Sequence, residues 1–310
     1  MTIERVAVFS ASARPGLAQV RQLKAAGYKV RAVTRSRPRN STLEGTEIVP
    51  ADLNDPESLR RACTGVDAVF FTSPTFTEVP KAHGHMKALG TAARDAGVKR
   101  FVYNTTSWHP DKLIGVPTMD DWYMRSRTLL ETGVPATIVR PSLFMDNLLT
   151  RWVKPWLLRD HEFAYPHKLD LEVSWICLDD VGRYMIETMK RPEYEGRFVD
   201  IGGPQALRPT QVAELLSEVL GRRITYRVIT PREFGERMYE VFKDVCGTSR
   251  EEYVSSLEKH YQFKNVANPF LVPMEEMMKR LPVRPTPMRE WLRQQDWSEN
   301  PKDEIGSVSG

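Results

Sequence analysis

The sequence predicts an α/β fold: a doubly wound parallel sheet with a smaller C-terminal α+β substrate lobe. Short apolar runs alternate with single helical segments through the first half of the chain. Those runs lack strict apolar/polar alternation, so they read as strands covered on both faces. The first run also passes through a turn of small residues straight into a helix, an arrangement that suits ligand binding at a strand end.

Arg5 to Phe9 is the first strand, and Leu17, Val20, Leu23 and Ala26 fall at helical spacing from Gly16 until Gly27 ends that helix. Lys29 to Thr34 is the second strand and Thr46 to Val49 the third. Asp55 to Cys63 is a helix with Pro56 in its first turn, where the missing N–H gives up no hydrogen bond. Asp67 to Phe71 is the fourth strand, and the helix from Val79 to Ala96, opened by Pro80 and closed by Gly97, leads to the fifth, Arg100 to Asn104. A helix over about Asp121 to Glu131 ends at Gly133, before the strand Ala136 to Val139. Single helices between parallel strands imply right-handed crossovers and helices on both faces.

After residue 150 the rhythm changes, with Trp152, Pro155, Trp156, Phe163, Tyr165 and Pro166 in close succession. Regular units return as a helix from Leu178 to Met189, a strand from Arg197 to Ile201, a helix from Thr210 to Leu220 and a strand from Ile224 to Val228. The expected organisation is a nucleotide-binding domain over 1–150, a substrate lobe over 151–297 with some later strands rejoining the main sheet, and a mobile polar tail over 298–310.

Composition narrows the function classes. With 41% hydrophobic and 27% charged residues the chain is an ordinary globular protein. A net charge of +4 without a long Lys/Arg run argues against nucleic acid as partner. The clearest basic cluster is Arg31, Arg35, Arg37 and Arg39, either a solvated loop or part of a site. Cys63, Cys177 and Cys246 are scattered and odd in number, which suggests buried thiols rather than disulfides or zinc. His83 and His85 lie two apart on a helix and cannot face one site, so no metal is expected. The start, Met1-Thr2-Ile3-Glu4-Arg5, has no apolar leader, and no apolar stretch approaches about 18 residues, so a cytoplasmic protein without membrane contact is expected. Oligomeric state is left open.

In a Rossmann-like fold the first strand-to-helix turn uses glycines because backbone must approach a pyrophosphate seated on the helix N-terminus. Here the turn reads Ser10-Ala11-Ser12-Ala13-Arg14-Pro15-Gly16, and only the last glycine remains. The other positions are small, with Ser10 and Ser12 hydroxyls as added donors, while Pro15 removes one N–H. The turn either binds a diphosphate or merely caps the helix. At the end of the second strand an acidic residue would suit ribose hydroxyls, whereas Arg35 in Thr34-Arg35-Ser36-Arg37 suits a 2'-phosphate, so NADP(H) is the expected cofactor. Asp52 and Leu53 are placed to border the adenine, with Asp52 equally suited to cap the next turn, and Thr72 and Ser73 to line the ribose and pyrophosphate path.

These segments, together with Arg140-Pro141-Ser142-Leu143-Phe144-Met145-Asp146-Asn147, resemble the NmrA-like family of atypical short-chain dehydrogenases/reductases. Phe101-Val102-Tyr103-Asn104-Thr105-Thr106-Ser107, Gly133 to Pro141, Asp179-Asp180-Val181-Gly182 and Gly202 to Leu207 carry the likeness further, over roughly residues 3 to 230. The resemblance implies NADP(H) bound along Ser10, Ser12, Ala13, Arg14, Gly16, Asn104, Thr105 and Pro141, with substrate between the sheet and the smaller lobe. Ser107, Phe144, Asn147, Trp152, Trp156 and Trp175 are then the expected substrate contacts. So many aromatics suit an aromatic or polycyclic small molecule, or else form a plain inter-lobe core.

Reductases of this family carry a lysine near the start of the helix before Gly133, and that position holds Trp122, which has no proton to exchange at neutral pH. Beside it, Tyr123-Met124-Arg125-Ser126-Arg127 spells Tyr-x-x-x-Arg, so Tyr123 and Arg127 are dyad candidates. His109, in a loop after the fifth strand, is the alternative acid/base group. The expected function is an NADP(H)-dependent oxidoreductase acting on an aromatic or polycyclic small molecule, of the kind found in secondary metabolism; the alternatives are a non-redox cyclase, isomerase or rearrangement enzyme on the same scaffold, and a catalytically silent NADP(H)-sensing regulator.

Overall fold

The computed structural model describes residues 2–36, 41–74 and 78–298. In chain order it begins β1 (Arg5–Phe9), α1 (Arg14–Ala25), β2 (Lys29–Thr34), β3 (Glu47–Pro50), α2 (Pro56–Cys63), β4 (Ala68–Thr72) and α3 (Val79–Asp95). It continues with β5 (Arg100–Asn104), α4 (Pro117–Glu131), β6 (Ala136–Pro141), β7 (Glu162–Tyr165), β8 (Val173–Ser174), α5 (Leu178–Met189) and β9 (Phe198–Ile201). The last part holds β10 (Ala206–Leu207), α6 (Pro209–Leu220), β11 (Thr225–Val228), α7 (Pro231–Phe242), α8 (Arg250–Ala267), α9 (Met274–Arg280) and α10 (Met288–Arg293).

The main sheet runs β3-β2-β1-β4-β5-β6-β9, with all pairs parallel. Successive residues of one strand feed two different cores. Val6, Val8, Phe70 and Val102 pack under α1 and α5, while Ala7, Phe9, Val69, Phe71, Phe101 and Tyr103 pack on the opposite face. Both faces are therefore covered, which is why these strands read as unbroken apolar runs. The chain moves outward from β1 to β3 and then returns to β4, so the crevice at the C-terminal ends of β1 and β4 is the switch point where open sheets bind ligands.

Beyond residue 150 the chain does not form one block. Helix α5 packs against α1, where Gly182 lies so close that an added Cβ would meet Gln22 Cγ at 3.0 Å, and β9 closes the main sheet. The lobe itself is built from the pairs β7/β11 and β8/β10 with α6, α7, α8 and α10 around Phe163, Tyr165, Leu216, Phe234 and Tyr261. Trp175, expected in the cleft, is a correction: it is 1% exposed and packs within this core, 6.2 Å from the Phe163 ring. Of the predicted polar tail, all but Ser298 lies outside the described residues. Among the described residues no helix is long and apolar enough to cross a membrane.

Candidate nucleotide site and active site

The loop after β1 keeps the shape that a glycine-rich turn would have. Ser10 has φ +56°, the left-handed region where glycine is at home. The Ala13 amide donates back to Ser10 O at 3.0 Å, closing the turn, and α1 starts at once with Pro15 in its first turn. Gly16 is required: a Cβ there would lie 2.2 Å from Ser10 O and 2.8 Å from Ala11 Cα. Among the described residues the amides of Arg14 and Gly16 donate to nothing within the chain, so they remain available at the positive end of the helix. This cradle, with Ser12 and Ala13 exposed beside it, fits a diphosphate.

Arg14 reaches across the crevice, its Nη2 donating to Asp146 O at 2.8 Å. The Asp146 carboxylate accepts from the amide of Leu178 at 2.9 Å, and burial raises its pKa against the opposing pull of Arg14. The loop after β6 is thereby tied to the N-termini of both α1 and α5. Pro141, predicted beside the cofactor, is buried at the end of β6.

At the neighbouring strand ends, Arg35 is exposed and close enough to Asp52 for its charge to help lower that carboxyl's pKa. The larger causes are hydrogen bonds from Asn54, whose N and Nδ2 reach Asp52 at 2.8 and 2.7 Å. Asp52 thus holds its own turn, while Asp55 caps α2. Leu53 packs on the core beneath. Arg31 does not belong to a solvated loop: it is buried in β2 and donates to Ala62 O and Thr64 O, while Arg37 and Arg39 lie outside the described residues. Thr72 forms a buried floor, its Oγ1 accepting from Gln19 at 2.8 Å and Asn104 at 3.3 Å. Thr105 donates to Ser107 O at 2.7 Å and shapes the loop above.

Helix α4 corrects the proposed dyad. Arg127 is exposed and pairs with Glu131 one turn on, whereas Arg125 is buried, with Nη1 donating to Ser73 Oγ at 3.0 Å and Nη2 2.6 Å from Asp121 Oδ2. Asp121 also meets His83 Nε2 at 3.0 Å, and His85 turns instead to Asn54. The guanidinium that reaches the switch point is therefore two residues from the one the motif selects. Tyr123 is half-buried beside His109, ring centroids 6.2 Å apart.

His109 is a second correction. It is fully buried, with Nδ1 2.8 Å from Pro110 O and Nε2 2.9 Å from Ser126 Oγ, so neither nitrogen faces a ligand. Burial pushes its pKa down to about 4, which keeps the ring neutral. The unfolded chain binds this proton near pH 6.5, so folding stability is lost as pH falls below 6.5 and continues to fall until about 4. At pH 5 this residue alone should remove about 2 kcal/mol. Urea unfolding at pH 7 and pH 5 should show His109→Gln narrowing the difference by about that amount. An unchanged difference would refute it.

Above the sheet ends stands α8, which the sequence analysis did not foresee. Its Lys264 Nζ donates to Ser107 Oγ at 2.8 Å, and its His260 Nδ1 lies 3.0 Å from Thr118 Oγ1 and packs edge-on against Trp122 at 5.6 Å. Trp108 stacks on Phe263 of the same helix. Asn147 reaches Tyr165 Oη at 3.5 Å, and Phe144 packs against the core beneath α1 and α5. Trp152 and Trp156 lie against α7, the first beside Phe234 and the second under the Arg237 guanidinium.

An open, all-parallel sheet with helices on both faces and α1 starting at its switch point defines a doubly wound, Rossmann-like α/β protein. The chain belongs to the NmrA-like family, whose model matches residues 2–292. It is 31% identical over 223 residues to an NAD(P)H azoreductase of Xenophilus azovorans, covering 71% of this chain and 75% of that one. Its fold matches an NADPH-dependent quinone oxidoreductase of Escherichia coli solved with NADPH, at TM-score 0.73 and 19% identity over 93% of this chain and 98% of that one. It also matches the Citrobacter sp. triphenylmethane reductase solved with NADP(H), at TM-score 0.72 and 21% identity over 94% and 99% of the two chains.

Proposed function

We propose that the protein is an NADP(H)-dependent oxidoreductase acting on an aromatic small molecule. The observation that carries the reading is the cradle of Ser10 and Gly16 at the start of α1, with Arg35 exposed at the end of the neighbouring strand. The Arg14 and Gly16 amides would hold the diphosphate, Arg35 the 2'-phosphate, and Arg125 with Ser73 the path toward the nicotinamide. Similarity to an azoreductase supports an aromatic acceptor. The bound nicotinamide would supply a hydride; the chain's task is to orient the acceptor and deliver a proton.

Titration of the protein with NADPH, followed by nicotinamide fluorescence, tests binding; NADPH oxidation with menadione or an azo dye tests turnover. No binding at millimolar NADPH would end the proposal. Binding without turnover would leave a nucleotide sensor. Arg35→Asp should weaken NADPH about tenfold or more, roughly 1.4 kcal/mol, while changing NADH little. Equal losses for the two nucleotides would remove Arg35 from the 2'-phosphate site.

A further inference from the structure

Trp122 on α4 has no proton to give up at neutral pH, and His109 is sealed in the core with both nitrogens engaged, so neither is a proton donor to the site. Another element brings one. Lys264 enters from α8 with only 2% of its surface exposed and places Nζ 2.8 Å from the hydroxyl of Ser107, which is itself partly exposed just beyond β5. The loop holding Ser107 is fixed by Thr105 and by Thr106 in the left-handed region at φ +65°. On its other side the ammonium faces the Phe270 ring at 4.3 Å. The titratable groups facing it are His260 on its own helix and His167 beyond β7; no carboxylate pairs with it among the described residues.

We infer that Ser107 and Lys264 form the proton relay of the active site, Ser107 touching the substrate and Lys264 positioning and recharging it. This rests on the reductase reading. Reduction of a quinone to its hydroquinone needs a hydride, which the nicotinamide supplies, and one proton. In the relay the Ser107 hydroxyl gives that proton to the substrate oxygen and regains one from the Lys264 ammonium, and the neutral amine is reprotonated from solvent after product leaves. Burial holds the Lys264 amine well below the usual lysine range, which suits such an exchange.

The test compares wild type, Lys264→Met, Lys264→Arg and Ser107→Ala in menadione reduction across pH, with NADPH affinity measured in parallel. The wild-type kcat should fall on the alkaline side, as Lys264 loses its proton, at a pH below the ordinary lysine value of about 10.4. Lys264→Met should lose on the order of 100-fold in kcat and the alkaline limb with it. Lys264→Arg should retain part of the rate and shift the limb upward, with NADPH affinity unchanged throughout. Independently of turnover, lysine carbon NMR of the cofactor-free protein should show one lysine titrating below the rest, absent in Lys264→Met and shifted in Ser107→Ala or by menadione. Wild-type rate and limb in Lys264→Met would overturn the relay and leave the reductase reading intact. A wild type that binds NADPH but reduces no acceptor would end the reductase reading; the NMR then decides Lys264, and ordinary titration or no response to menadione overturns it.

Discussion

Gly16→Ala should cripple nucleotide binding and measurably destabilise the fold. The new methyl would sit 2.2 Å from Ser10 O and 2.8 Å from Ala11 Cα, both backbone atoms of the turn, so no side chain can swing aside to admit it. Either α1 tilts away from β1 or the turn unwinds. Overpacking of this kind costs about 1–3 kcal/mol. Because the same turn aims the Arg14 and Gly16 amides, NADPH affinity should fall on the order of 100-fold, about 2.7 kcal/mol. Ser10→Gly should act in the opposite direction: Ser10 already holds φ +56°, and releasing that constraint should stabilise the protein by about 1 kcal/mol. Urea unfolding and NADPH titration of the two variants give the check. Wild-type affinity in Gly16→Ala would mean that no diphosphate rests on this helix.

This loop shows what a sequence hides at a binding site. Counting glycines makes Ser10-Ala11-Ser12-Ala13 read as degraded, because composition reports which residue adopts a conformation easily, not whether the conformation is adopted. The fold around it was far more legible. The inner strands β1 and β4 are apolar runs between turn residues, and α5 was predicted with the bounds Leu178–Met189 that the structure shows. Helix α8 was not legible, because its buried residues include His260 and Lys264, so the apolar spacing that announces a helix is broken where the helix does its work. The aromatic run from Trp152 onward was legible only as composition. It could be cleft or core, and Trp175 is core.

The same difficulty governs α4, and it leads to the second large effect. A Tyr-x-x-x-Arg spacing puts Tyr123 and Arg127 on one face of a helix, but spacing cannot say which face turns inward. Arg125, two residues earlier, is the buried one, its guanidinium held between Asp121 and Ser73 with side-chain exposures of 4% for the arginine and 12% for Asp121. Arg125→Leu would leave the Asp121 carboxylate nearly buried with His83 as its remaining close partner, and removal of one member of such a pair is strongly destabilising, by about 3 kcal/mol. Arg127→Leu, which breaks an exposed pair 3.7 Å long with Glu131, should change stability by less than about 0.5 kcal/mol. Adding Asp121→Asn to Arg125→Leu should recover part of the loss, because the stranded charge goes with it. Urea midpoints of the three variants decide the matter: if Arg127→Leu costs as much as Arg125→Leu, the inward face of α4 has been misassigned, and with it the path toward the nicotinamide.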